Sequence, residues 1–333
     1  MQLKTLLANR DALLAGILLL LILLVGLKNP TFLGLESLTG TLNDTSILII
    51  LALGQMLVIL TRCIDLSIAA NVALTGMVVA MLNASMPGIP VFVLILIAML
   101  LGTVLGMLNG LLVWKLNIPA IVVTLGTMSV YRGVIFLLSN GEWVNAHQMS
   151  KDFIDFPRNV LLGLPVMTWI AVGMTGLMFY LLKFRRWGRN FYTAGGNPTA
   201  AFYTGIDVGR SQFNAFMFAG MLGGLCGYLW VSRFAVAYVD VANGFELQVI
   251  AACVIGGISI AGGIGTVFGC LLGALFIGVI NNALPIIGIS PFWQMAISGS
   301  VIILAVIVNS RSERKVGRNI LRQPHQAIKE TQA

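Results

Sequence analysis

Apolar runs separated by short polar breaks organise the whole chain. They cover roughly residues 12–27, 45–61, 66–84, 91–113, 120–138, 164–183, 212–231, 247–261, 266–284 and 292–309. Each is close to the roughly 20 residues that a helix needs to cross a bilayer core. The pattern therefore predicts an all-α polytopic membrane protein of about ten spans. The runs at 66–84 and 247–261 are the most interrupted, by Asn, Ser and Gly. The longest polar and basic break is Phe184–Gln212. Two further breaks, Ser139–Gly163 and Ser232–Glu246, mix charges with aromatics. Each reads either as a solvated loop or as a docking surface.

The long break contains a helix with its own start and stop. Asn197 suits an N-cap, since its side-chain oxygen can accept a free N–H of the first turn. Pro198 suits the first helical position, where a missing N–H costs nothing. Gly205 can take the left-handed conformation that ends a helix. The short helix so defined, 197–205, displays Phe202 and Tyr203 with Ala201 beside them. Such a knob is what a membrane protein offers to a soluble partner.

Composition agrees with the pattern. Of 333 residues, 58% are hydrophobic and 10% charged, against about 25% charged in soluble domains. Residues 1–333 read as one transmembrane domain, with no room for a soluble one. Lys4 and Arg10 precede the first run, no small-x-small cleavage site follows it, and it reads as a retained first span. The net charge of +8 is distributed as topology requires rather than as a nucleic-acid surface. With both termini in the cytoplasm, 15 of the 20 Lys and Arg fall inside. This places the 184–211 loop and a basic tail at 310–333 in the cytoplasm.

Gly106-Met107-Leu108-Asn109 and Gly278-Val279-Ile280-Asn281 are each followed, ten residues after the Asn, by Pro119 and Pro291. The copies end spans four and nine, which cross in opposite senses. Spans 2–5 and 7–10 are thus expected to be inverted repeats, a frequent transporter architecture. Glycine runs such as Gly256-Gly257 and Gly262-Gly263-Ile264-Gly265 read as close helix packing. Cys63, Cys226, Cys253 and Cys270 form no CxxC pair and read as small packing residues.

Chemistry-bearing motifs are sparse. The chain has no phosphate loop, no Gly-x-Ser-x-Gly and no His-Glu-x-x-His. It is read as a non-enzyme, with no cofactor and no metal site. Arg62 and Asp65, three apart, would be neighbours on a helix and are read as a structural pair capping span two. Arg132 would snorkel outward or face a cavity. Gln55, Asn71, Thr124, Thr127, Asn281 and Asn282 are polar groups inside spans. They read either as interhelical hydrogen bonds or as a hydrated path for a neutral polyol.

Three blocks in order resemble a known family. They are Ile64-Asp65-Leu66-Ser67; Ile118-Pro119-Ala120 through Thr127; and Gly188-Arg189-Asn190, Gly195-Gly196-Asn197, Ala200-Ala201 and Gly205-Ile206. The chain resembles the permease subunits of bacterial ABC importers for monosaccharides, over about residues 40–310. That set includes ribose, rhamnose and autoinducer-2 permeases. Asn43-Asp44-Thr45-Ser46, Trp143–His147 and Val236–Asp240 look most like the rhamnose type. The resemblance implies an inner-membrane pore subunit that pairs with a second permease, as homodimer or heterodimer. It implies ATPase subunits below, which bind the ATP, and a periplasmic sugar-binding protein above. The helix at 197–205 would be the coupling helix, with Asn197, Pro198, Ala201, Phe202, Tyr203 and Gly205 its residues. An ion-coupled secondary sugar carrier and a passive channel are the other classes the residues leave open.

Overall fold

A computed structural model describes residues 10–286, together with 288, 293, 296, 299 and 300. The tail 310–333 lies outside the described residues, as does most of the span expected at 292–309. Among the described residues, eight helices are long and apolar enough to cross a membrane. They are α1 (Arg10–Lys28), α2 (Leu35–Leu60), α3 (Ile68–Ser85), α4 (Val91–Leu116), α5 (Ala120–Ser139), α7 (Val166–Phe184), α10 (Val208–Phe234) and α12 (Val267–Ile286). Between them lie three short helices outside the spans: α6 (Lys151–Asp155), α8 (Arg186–Gly196) and α9 (Pro198–Tyr203).

The two interrupted runs fold differently. The interrupted run at 66–84 forms a regular helix, because Asn71 and Thr75 bond to backbone carbonyls instead of breaking it. The run at 247–261 does not cross as a helix. Helix α11 (Phe245–Ile255) stops after 11 residues. Gly257, Gly262 and Gly263 then take positive φ, and an irregular link leads to α12. Irregular backbone at such a place is tolerated where protein buries it, and Ile258 and Ser259 are buried.

The spans are not equivalent. In α2 89% of the apolar window is buried and in α10 78%, against 22% in α4 and 17% in α1. Helices α2, α3 and α10 therefore form the centre, with α1, α4, α5 and α7 on the rim. Contact with α10 is made through glycine. A Cβ on Gly106 of α4 would lie 2.9 Å from Gly220 Cα, and one on Gly224 would press on the Ala98 carbonyl. Backbones meet directly here, as small residues allow in lipid. Gly256 and Gly273 bring α11 and α12 together in the same way.

Two glycines make close contacts between spans. Gly106 faces Phe216 of α10, and Gly278 of α12 faces Thr45 of α2. The step from Gly106 to Gly278 is matched, to within one residue, by the step from Thr45 to Phe216.

At one end of the bundle the two mixed loops are a single cap. Strand β1 (Val144–Asn145) pairs antiparallel with β4 (Val236–Ala237). Trp143 stacks on Tyr238 with centroids 4.8 Å apart. Strands β2 (Val160–Leu161) and β3 (Leu164–Pro165) form a small hairpin. The Phe153 carbonyl, from α6, accepts from Tyr228 Oη at 3.0 Å, tying the cap to α10. Arg233 pairs with Asp44 at the same end. At the opposite end Arg62, Gln212, Gly195 and Gly262 converge. The loops that the Lys and Arg distribution assigns to one side of the membrane thus share one end.

Candidate functional site

The polar break folds into two helices. Helix α8 buries Gly188, Phe191, Ala194 and Gly195, a stripe at helical spacing, and turns Trp187 and Arg189 outward. Helix α9 follows after a single residue. Asn197 Oδ1 accepts from the Ala200 N–H at 3.0 Å, and Pro198 opens the helix. Gly205 closes it at φ +80°. The Ile206 N–H returns to the Ala201 carbonyl at 2.9 Å, which satisfies an orphan acceptor of the last turn. Ala201 is fully buried and anchors the helix. Phe202 and Tyr203 are 71% and 82% exposed, although both are large and apolar. Their rings meet edge to face, with centroids 5.9 Å apart. A groove of about 570 Å³ lies beside them, lined by Trp114, Asn117, Phe202, Ile206, Val208 and Gln212. The aromatic pair is thus exposed on a short anchored helix, next to a groove, and adds little to the packing of the fold.

The polar residues of the spans lie elsewhere. Gln55, Asn71, Thr124 and Thr127 are buried within the chain. With its amide nitrogen and oxygen exchanged, Gln55 pairs with the backbone N–H and carbonyl of Asp65. Asn71 Nδ2 reaches the carbonyls of Gly102 and Gly220 at 3.3 and 3.4 Å. Thr124 and Thr127 donate to carbonyls one turn back, at 2.9 and 3.1 Å. Gln55 and Asn71 thus tie separate segments together, whereas Thr127 is bonded within its own helix. Asn281 and Asn282 of α12 are half-buried. Asn281 Nδ2 donates to Gln248 Oε1 at 3.0 Å, and Asn282 Nδ2 to its own turn at Gly278. The amides of Gln248 and Asn281 thus form a half-buried pair between α11 and α12.

Residues 37–306 match the family model described as branched-chain amino acid transport system / permease component. The chain belongs to this family of transport permease components. The permease is 34% identical, over 325 residues, to the "Autoinducer 2 import system permease protein LsrC" of Yersinia pseudotuberculosis serotype O:1b (strain IP 31758). That similarity covers 97% of this chain and 91% of the relative. The protein of the same name from Salmonella typhi is also 34% identical, over 97% of this chain and 92% of its own length. Both of these relatives carry autoinducer-2 rather than rhamnose in their names. No solved structure matches the permease.

The expected pairing of Arg62 with Asp65 is not formed. The chain leaves the helix at Thr61, and Arg62 sits at φ +65°, so helical spacing does not apply. Arg62 instead donates to the carbonyls of Gly195 and Gly196. Asp65 Oδ1 accepts from the amide and hydroxyl of Ser67, at 2.8 and 2.7 Å. Ser67 Oγ in turn accepts from Asn109 Nδ2 of α4 at 2.8 Å. Arg132 reaches toward the loop end of the bundle, where its guanidinium donates to the carbonyls of Val239 and Val241 and pins the cap. Helix α8 was not read from the sequence. Its signal was there, in Gly188, Phe191, Ala194 and Gly195 spaced by three or four among Arg and polar residues.

Proposed function

We propose that this permease is the pore subunit of an ATP-driven importer for a small neutral polyol of the monosaccharide class, such as autoinducer-2, L-rhamnose or ribose. It works in the bacterial inner membrane with both termini in the cytoplasm. It pairs with a second permease subunit and docks ATPase subunits through α9. It receives substrate from a periplasmic binding protein at the outer cap. The ATP is bound by the partner subunits, and this chain brings no cofactor of its own.

The observation that carries this reading is the outward display of Phe202 and Tyr203 on a helix capped at both ends. It lies at the basic end of the bundle, the end that the Lys and Arg bias assigns to the cytoplasm. The names of the relatives support an import system. The amides of Gln248, Asn281 and Asn282 suit hydroxyl groups better than a fixed charge. The ion-coupled carrier has no observation in its favour.

Phe202→Asp and Tyr203→Asp test the reading. Both side chains point away from the fold, so the amount of protein in the membrane stays at the wild-type level. An apolar anchor lost from an interface costs about 2 kcal/mol or more. Capture of the ATPase subunit and uptake of labelled sugar both fall, while the periplasmic binding protein still docks. Wild-type uptake by both variants would show that α9 is an ordinary loop.

A further inference from the structure

Three breaks in helical structure meet at the inner end of the bundle. The first is Gly195-Gly196, where α8 hands over to α9. The second is the link 61–67 between α2 and α3. The third is the link 256–266 between α11 and α12. They touch through backbone, because a side chain has no room. A Cβ on Gly195 would fall on the Leu60 carbonyl oxygen and 2.8 Å from Gly263 N. A Cβ on Gly263 would strike Gly196, and one on Gly262 would strike the Arg62 side chain. The Gly263 N–H donates to the Leu60 carbonyl at 2.9 Å.

Arg62 ties this junction. Its Nε donates to the Gly195 carbonyl and its Nη2 to the Gly196 carbonyl at 3.0 Å. These are the terminal carbonyls of α8, which have no acceptor role inside the helix. A cation is favoured at that end. To reach them Arg62 takes φ +65°, a conformation unfavourable for a residue with a Cβ. A disfavoured backbone held in place by specific bonds points to a role for the bonds. Beyond α9 the chain is tied again, by Gln212 Nε2 on the Thr61 carbonyl at 3.3 Å. The arm bearing α9 is therefore fastened on both sides to one link.

That link is wired inward. Thr124 of α5 donates to the Ile64 carbonyl at 3.3 Å, and Gln55 of α2 pairs with the Asp65 backbone. Asp65, Ser67 and Asn109 form a hydrogen-bonded chain into α4. Tyr192 Oη of α8 reaches the Gly265 carbonyl at 3.1 Å and engages the other link. We infer that Arg62 is a positioning residue for transport, a strap carrying displacement of α9 into the links that join the central spans. The inference rests on the coupling role given to α9 above and adds the residue through which that coupling enters the membrane domain.

Arg62→Gly is the discriminating variant, because glycine accepts positive φ without strain and removes only the strap. Arg62→Lys keeps a cation but cannot fork onto two carbonyls. The complex of permease, ATPase subunits and binding protein is reconstituted in vesicles. Membrane amount, ATPase capture, ATP hydrolysis and sugar uptake are then measured. For Arg62→Gly, amount and capture stay at the wild-type level and basal hydrolysis continues. Stimulation by loaded binding protein and sugar imported per ATP both fall, by about 5- to 150-fold, the usual span of a coupling energy. Arg62→Lys recovers part of the loss. Unchanged uptake per ATP in Arg62→Gly would overturn the strap alone, as would a loss that tracks only protein amount. Failure of the wild-type chain to capture the ATPase would overturn the coupling role of α9 and the strap with it.

Discussion

Gly220→Ala should loosen the permease at the contact where α10 crosses α4. An added Cβ would lie 2.3 Å from the Gly102 carbonyl oxygen and 2.7 Å from Gly106 Cα, both backbone atoms that cannot rotate away. Ordinary contact begins at 3.4 Å, so the helices must part by about 1 Å. A gap of that size forfeits roughly a quarter to a half of each facing contact, and overpacking typically costs about 1–3 kcal/mol. Asn71 Nδ2 bonds to Gly102 and Gly220 at 3.3 and 3.4 Å, so the same movement breaks these bonds, at about 0.6 kcal/mol each. Alanine returns about 1 kcal/mol of helix propensity. The net loss is about 1–3 kcal/mol. Gly176→Ala in α7 is the control, since nothing lies within 4 Å of its added Cβ. The measurement is the temperature at which half of the detergent-purified protein loses its monodisperse peak. Gly220→Ala should melt several degrees lower, at about 2–4 °C per kcal/mol, and Gly176→Ala no lower than wild type. Equal midpoints for the two variants would refute a backbone-to-backbone contact at Gly220.

Asn71→Leu should lower the amount of folded protein, by about 1–2 kcal/mol of lost interhelical bonding, while uptake per inserted molecule holds. Reduced uptake at an unchanged membrane amount would return Asn71 to the transport route. A reporter active only in the periplasm should give a signal when fused after residue 150 or 240 and stay silent after 200 or 320. A periplasmic signal at 200 would reverse the orientation and remove α9 from the cytoplasm.

Hydropathy alone placed most spans, because each must be apolar enough to sit in lipid whatever it packs against. The Lys and Arg bias grouped the loops by side, and the structure brings those groups to opposite ends. The start and stop of α9 were legible in Asn197, Pro198 and Gly205, since capping is a local exchange of hydrogen bonds within a few residues. The centre of the bundle was not legible. A span is apolar on all faces, so no amphipathic stripe tells the protein side from the lipid side, and only packing shows that α2 is enclosed and α4 is not. The Arg62 partners were hidden for a related reason. Reading Arg62 with Asp65 assumed a helix running through both, but the helix ends at Leu60, and Gly195 lies 133 residues away in sequence. Burial of irregular backbone decides that contact: the terminal carbonyls of α8 need a donor, and only the folded chain brings the guanidinium to them.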